Sequence, residues 1–453
     1  MATLLVTNIH TLVTMDDRRR ELRRGALFIR DHVVEQVGLA SELPPTADRV
    51  LDLRDRHVVL PGLVNTHHHF YQNLTRVLPA AQDCDLFGWL RALYPVWSRL
   101  TAEGVRVSAR MAAAELMLSG CTTTSDHLYL FPNDCTLDDE IEAVAGMGLR
   151  FHATRGSMSV GESRGGLPPD ALVEREADIL RDSERVIARY HDPARHAMTR
   201  VALAPCSPFS VSTDLMRESA KLARSRPGVR LHTHLAENRA DVAYSLATFG
   251  LTPGDYAESV GWIGPDVWHA HCVQLSDDSI AKFGRTGTGV AHCPCSNLRL
   301  ASGLAPIRKM VRAGVPVGLG VDGAASNDAS NLLHETRAAC LVARVRDEDA
   351  SAMTAREALE LATRGGARVL GRDDLGSLAP GMCADFIAID LDRAGFAGAQ
   401  ADPVAAIVLC ECNGVDHSFI HGRAVVNDGR LVRAELPRLV EETNRISRAL
   451  LDG

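Results

Sequence analysis

The chain has 453 residues, 46% of them apolar, an ordinary globular composition able to bury a large core in one big barrel or two domains. A formal charge of −8 leaves no basic footprint for duplex nucleic acid or an anionic membrane. Eleven irregularly spaced cysteines, a start "MATLLVTNIHTLV" without signal-peptide regions, and no apolar run near the ~20 residues that cross a bilayer predict a soluble, cytoplasmic protein with reduced thiols.

Residues 1–58 contain short alternating apolar stretches, "LLVTNIHTLVTM", "GALFIRDHVVEQVG" and "RVLDLRDRHVVL", and are expected to form a strand-rich module without a long helix. From 59 to 372 strand-like runs alternate with helix-like ones, as in "VRVSARMAAAELMLSG" then "CTTTSDHLYL" and "LMRESAKLARSRPG" then "VRLHTHLAE". Parallel strands need helical crossovers, so this alternation predicts an α/β fold, a (β/α)8 TIM-type barrel. Residues 373–435 return to strand-like text, and "HGRAVVNDGRLV" is similar in style to "RGALFIRDHVVEQVG" near the start. Both chain ends are therefore expected to meet as one small β-sandwich domain beside the barrel, with a C-terminal helix over 436–453.

Candidate chemistry gathers where predicted barrel strands end. In "LPGLVNTHHHFY" side chains alternate, so His67 and His69 point one way and His68 the other; the outer pair forms a metal pincer. Taken alone, such a pair is more often surface or packed histidine. "VRLHTHLAEN" adds His232 and His234 on one face, with His234 nearer the C-terminal end where barrel active sites lie, and Glu237 just beyond. "VWHAHCVQL" presents His271, and "PVGLGVDGAASND" ends at Asp322, which on its own is equally an ordinary turn former or helix N-cap. Four strands in chain order, each ending in a residue fit to bind metal or move protons, make independent bland explanations improbable.

These strings, "PGLVNTHHH", "HTHLAE", "AHC" and "GVDG", resemble the amidohydrolase superfamily, in its cytosine, guanine and triazine deaminase branch, along essentially the whole chain. Longer agreements, "NTHHHFYQNLTR", "LFGWLRALYPVWSRL", "APCSPFSVS" and "AHCPCSNLRLASG", resemble the 8-oxoguanine deaminases within that branch. The resemblance implies that His67, His69, His234 and Asp322 hold one divalent ion, expected to be Zn2+, with Fe2+ or Mn2+ compatible with the same donors. Some barrel amidohydrolases bridge two metals with a carboxylated lysine; lysine occurs here only at Lys221, Lys282 and Lys309, none of them in "RVALAPCSPFS", so a mononuclear site is implied.

The implied reaction is hydrolytic deamination of a free purine-type base, 8-oxoguanine to urate and ammonia. In it Asp322 takes a proton from water, His271 orients the nucleophile, and Glu237 protonates the ring nitrogen beside the amino-bearing carbon. Gln72 is expected to read a purine-like edge, Trp89 to cover the ring, and His127, Arg155 and Cys206 to line the pocket. Alternatives are isocytosine or guanine deamination, hydroxytriazine aminohydrolysis, and a non-enzymatic scaffold. The expected partners are a small nucleobase and water, within a homo-oligomer of two or more chains.

Overall fold

The computed structural model describes residues 2–452. Residues 1 and 453, the first of the expected N-terminal module and the last of the expected C-terminal helix, lie outside the described residues.

Five strands come first: β1 (Thr3–Val13), β2 (Glu21–Arg30), β3 (Val33–Leu39), β4 (Arg49–Asp52) and β5 (His57–Pro61). Eight parallel strands follow: β6 (Leu63–Asn65), β7 (Cys121–Ser125), β8 (Arg150–Ser157), β9 (Thr199–Pro205), β10 (Arg230–Leu235), β11 (Val267–His271), β12 (Gly289–His292) and β13 (Val317–Leu319). They pair in sequence order, and Leu319 against Asn65 closes the barrel. Helices such as Ala102–Leu118, Leu137–Met147, Glu176–Tyr190, Thr213–Arg224 and Asp277–Thr286 make the crossovers. The expected (β/α)8 barrel is thus present.

After the barrel come β14 (Phe386–Asp390), β15 (His417–Ile420), β16 (Arg423–Asn427) and β17 (Arg430–Leu431). These join the first five in one nine-stranded sheet, ordered β17-β16-β15-β14-β5-β1-β2-β3 with β4 paired to β1. The sheet curls until Val33, at the start of β3, bridges Cys383 just ahead of β14. Its inner face then encloses one core containing Leu4, Leu27, Val59, Phe386 and Phe419. Strand alternation turns Val58, Leu60, Ile387 and Ile389 the other way, into the barrel's main core.

Two features leave the C-terminal mouth of the barrel for chemistry. Opposite it, Gly365 and Gly366 lie against the carbonyls of Val317 and Val64, where a Cβ would come within 2.2 and 2.7 Å, and Val369 and Leu370 pack with Val64, Ala202, Trp268 and Ala291. At the mouth, the long excursion between β6 and the Ala102–Leu118 helix carries a 3-10 segment Phe70–Thr75 and the helix Leu86–Trp97. The C-terminal helix Leu436–Asp452 buttresses that excursion, with Ser447 Oγ donating to the Leu74 carbonyl at 2.7 Å. No described helix is long and apolar enough to cross a membrane.

One buried ion pair ties barrel to sheet. Arg150, fully buried at the start of β8, donates to both oxygens of Asp385 at 3.0 Å and to the His196 and Ala197 carbonyls at 2.8 and 2.7 Å. Asp385 also accepts from the His421 amide at 2.7 Å. Removing one partner of such a pair strands a buried charge, so Asp385→Ala is expected to cost about 3–5 kcal/mol of stability, read by chemical denaturation against the wild-type chain.

Candidate metal centre and active site

The site is assembled at the C-terminal ends of the barrel strands: His234 and His271 lie on β10 and β11, and His67, His69 and Asp322 lie just past β6 and β13. β6 ends at Asn65, two residues before His67, so the expected strand through His69 is shorter than its sequence pattern. There the Asn65 side-chain amide adds to the backbone bonds: Nδ2 donates to Thr124 Oγ1 at 2.9 Å and Oδ1 accepts from the Val321 amide at 2.9 Å. The Asp322 amide donates to the His67 carbonyl at 3.1 Å, so the segments after β6 and β13 run locked together. His67 and His69 enter the cluster; His68 turns away, its Nε2 3.1 Å from Ser330 Oγ and its Nδ1 accepting from the His69 amide at 2.7 Å.

His69 Nδ1 lies 2.7 Å from the His127 carbonyl and His234 Nδ1 lies 2.6 Å from the Cys206 carbonyl. Carbonyls only accept, so both rings carry hydrogen on Nδ1 and present bare Nε2 atoms, which stand 3.2 Å apart. Two lone pairs at that separation repel, whereas a cation satisfies both. His67 Nε2 is buried without a hydrogen-bond partner, and Asp322 Oδ1 stands 3.3 Å from it and 3.4 Å from His69 Nε2. Burial holds the His67 and His69 imidazoles below their ordinary range and His234 down to about 3, so all three are neutral donors. Burial pushes Asp322 up, but the contact with His67 and the His271 imidazole outweigh it and hold the carboxyl well below its ordinary range. Neutral nitrogens around one anionic oxygen are a donor set that fits a divalent cation.

Asp322 is positioned by Ser296 and Ser326, whose hydroxyls donate to Oδ2 at 2.5 and 3.2 Å. His271 is held by Asn297 Oδ1, 2.9 Å from its Nδ1, and turns Nε2 towards Glu237 Oε2 at 3.5 Å and Asp322 Oδ2 at 3.8 Å. Those two carboxylates draw its pKa upward although burial alone would lower it. Glu237 follows a left-handed turn at Ala236 (φ 51°), and its amide donates to Asp241 Oδ2 at 3.0 Å, just before the Asn238 cap of the helix Arg239–Phe249. Burial pushes Glu237 up to about 7, with His271 opposing.

His69, His234, Glu237, His271 and Asp322 line one cavity, together with Gln72, Trp89 and Cys206. Both amide atoms of Gln72 are buried without protein partners, and Gly323 permits this, since a Cβ there would sit 1.8 Å from Gln72 Oε1. Trp89 is fixed by Nε1 donating to the Ala325 carbonyl at 3.0 Å. The Cys206 thiol is pushed up to about 12 by burial, which makes it a filler and not a nucleophile.

Two sequence expectations land elsewhere. His127 does not line the cavity; it lies in the histidine cluster, stacked on His234 with ring centroids 4.8 Å apart and Nε2 donating to the Ala204 carbonyl at 2.8 Å. Its donor atom lies within 4.8 Å of those of His67, His69 and His234. Arg155 is corrected outright: its guanidinium is committed to Glu174 and Asp182, at 2.7 and 2.6 Å, over the Phe131 ring, and does not line the cavity. Sequence reading missed the walls Leu86, Tyr94, Tyr129, Phe209 and Leu300. Their signal was position: Leu86 and Tyr94 lie in "LFGWLRALYPVWSRL", Phe209 in "APCSPFSVS", Leu300 in "AHCPCSNLRLASG", and Tyr129 two residues after His127.

The Amidohydrolase family model matches residues 58–425. An 8-oxoguanine deaminase of Pseudomonas aeruginosa is 47% identical over 95% of this chain and 95% of its own. A hydroxydechloroatrazine ethylaminohydrolase of a Pseudomonas species is 38% identical over 100% of this chain and 97% of its own. The crystal structure of atrazine chlorohydrolase from Arthrobacter aurescens TC1, complexed with zinc, superimposes with a TM-score of 0.94 at 34% identity, covering 98% of this chain and 100% of that one. The eight-stranded barrel, the cluster of neutral histidines at its mouth and these likenesses agree: the chain belongs to the amidohydrolase family.

Proposed function

We propose that this chain is a mononuclear metal-dependent aminohydrolase of a free purine-type base, deaminating 8-oxoguanine to urate and ammonia. The observation that carries it is Glu237, pushed to about 7 and facing His271 across the same cavity that the unpartnered Gln72 amide enters. The 47% identical 8-oxoguanine deaminase supports this choice of base.

His67, His69, His234 and Asp322 would hold one divalent ion, zinc by preference, which lowers the pKa of a bound water from ~15.7 towards ~7 and so supplies a nucleophile at neutral pH. The rest falls to the protein. Asp322, kept ionised, accepts the proton released by the attacking water. His271, its Nδ1 anchored on Asn297, orients that water through Nε2. Glu237, half-protonated near neutrality, gives a proton to the ring nitrogen beside the amino-bearing carbon, making that carbon electrophilic as the C–O bond forms. Returning a proton to the amino group breaks the C–N bond and releases ammonia. Gln72 meets the polar edge of the base through donor and acceptor atoms on one amide, and Trp89 lies over the ring. The walls Leu86, Leu90, Phe209 and Leu300 are apolar and also suit the alkyl groups of a hydroxytriazine, a second substrate class.

An ammonia-release screen of metal-replete protein against 8-oxoguanine, guanine, isocytosine and hydroxytriazines is expected to give the highest kcat/KM with 8-oxoguanine; no ammonia from any of them removes the proposal. Glu237→Gln is expected to retain metal while losing about 10²–10⁴-fold in kcat, and equal loss of metal would overturn its role. His67→Ala and His69→Ala are expected to strip the ion, whereas His68→Asn keeps it, as measured by metal content after gel filtration.

A further inference from the structure

We propose that His232 is a positioning residue: it fixes the ring tautomer and orientation of His67 through a closed circuit of buried hydrogen bonds, so that His67 offers Nε2 to the metal. This rests on the metal-binding role proposed for His67.

The circuit starts at a backbone carbonyl. His232 sits on β10, two residues before His234, and its Nδ1 is 3.0 Å from the carbonyl oxygen of Trp268 on β11. A carbonyl accepts and never donates, so Nδ1 bears the hydrogen and the Nε2 of the neutral ring is an acceptor. That Nε2 lies 2.8 Å from His67 Nδ1, which must therefore donate. One nitrogen of His67 is then spent, and its other, Nε2, faces the cluster bare, beside the Nε2 atoms of His69 and His234.

Trp268 closes the loop. Its indole stacks on the His232 ring, centroids 4.4 Å apart and 15° between planes, and its Nε1 donates at 3.0 Å to the carbonyl of Thr66, the residue before His67. Thr66, His67, His232 and Trp268 are each 0% exposed. Among the described residues no carboxylate lies within ion-pair distance of His232, so nothing compensates a charge on this ring. The competing arrangement has His67 protonated on Nε2 and donating to Asp322 Oδ1 at 3.3 Å, which would turn its hydrogen towards the ligands.

Zinc affinity of the full chain, measured by competition with a chromophoric chelator after metal removal, separates the two. His232→Leu keeps the volume but cannot accept, and is expected to weaken zinc binding about 10–100-fold. His232→Gln, whose side-chain carbonyl accepts from His67 Nδ1, is expected to recover most of that loss. His269→Leu removes an equally buried histidine whose Nε2 bonds the Trp262 carbonyl outside the circuit, and is expected to leave zinc affinity unchanged. Independently, the long-range proton–nitrogen spectrum of histidine-labelled metal-free wild type, with His67 assigned through His67→Ala, is expected to show a protonated Nδ1 and a bare Nε2. Unchanged zinc affinity in His232→Leu, or a His67 protonated on Nε2, overturns the proposal. If His232→Leu does not fold, His232→Gln and the wild-type spectrum decide. A wild type that binds no zinc would defeat the metal-binding role of His67, while the spectrum would still decide the circuit.

Discussion

Imidazoles packed nitrogen to nitrogen beside a carboxylate, under the surface of a barrel, stay together only if each ring's hydrogen is already committed elsewhere. Here His69 gives its Nδ1 hydrogen to the His127 carbonyl and His234 to the Cys206 carbonyl, while His67 Nδ1 lies against His232. A buried donor left without a partner costs about 1–3 kcal/mol, and whole domains are stable by only about 5–15 kcal/mol. Three such commitments are therefore of the same order as the stability of the fold. They also leave three neutral nitrogens facing one anionic oxygen, the polarity a divalent cation needs.

Holding that arrangement strains the backbone around it. Ala236, His271 and Asp322 all adopt left-handed φ, at 51°, 69° and 62°; His271 ends β11, and the other two lie in the turns following β10 and β13. Non-glycine residues pay about 1–3 kcal/mol each for such conformations, and the surroundings must overdetermine them. Asn65 stitches three barrel segments through its side-chain amide, Ser296 and Ser326 grip Asp322, and Asn297 grips His271. Farther out, the curled sheet is bound to the barrel through Arg150 and Asp385, and the C-terminal helix supports the excursion carrying Gln72. Parts of the chain remote from the cavity thus act on it by limiting how far its rim can relax.

What was legible in the sequence follows what is periodic or local. Strand–helix alternation specified the barrel, and the likeness between the two chain ends specified their shared sheet, because both leave patterns over tens of residues. Two-residue alternation separated His67 and His69 from His68 even though β6 stops at Asn65, since backbone pairing continues past it, the His67 carbonyl accepting from the Asp322 amide and the His68 carbonyl from the His127 amide. Arg155 misled because a basic residue near a strand end looks like a pocket residue. β8 in fact runs on to Ser157, and Arg155 meets carboxylates supplied 19 and 27 residues later. The apolar walls were missed for a related reason: Leu86, Phe209 and Leu300 come from separate excursions with no shared spacing, and only the closed barrel brings them together.

The division of labour inside the cavity bears on which bases such a site can separate. Apolar walls discriminate weakly, since one methylene more or less is worth about 1–3 kcal/mol. Polar groups that are buried and unpaired discriminate far more, because a ligand that fails to meet them leaves their desolvation unrepaid. On this wall the amide of Gln72 is such a group, its two polar atoms buried and its approach secured by Gly323. In the proposed reaction, Glu237 and Asp322 act on the ring nitrogen and amino carbon that all cyclic amidines share. In that role they would drive the chemistry without choosing among substrates. On that proposal selection would rest on the ring edge presented to Gln72 and on the shape left between Trp89 and the aliphatic walls, which are residues of the excursions and not of the barrel strands. On this barrel a change of substrate therefore needs changes only at a handful of rim positions, and can leave the histidine cluster and the hydrogen bonds that pin it untouched.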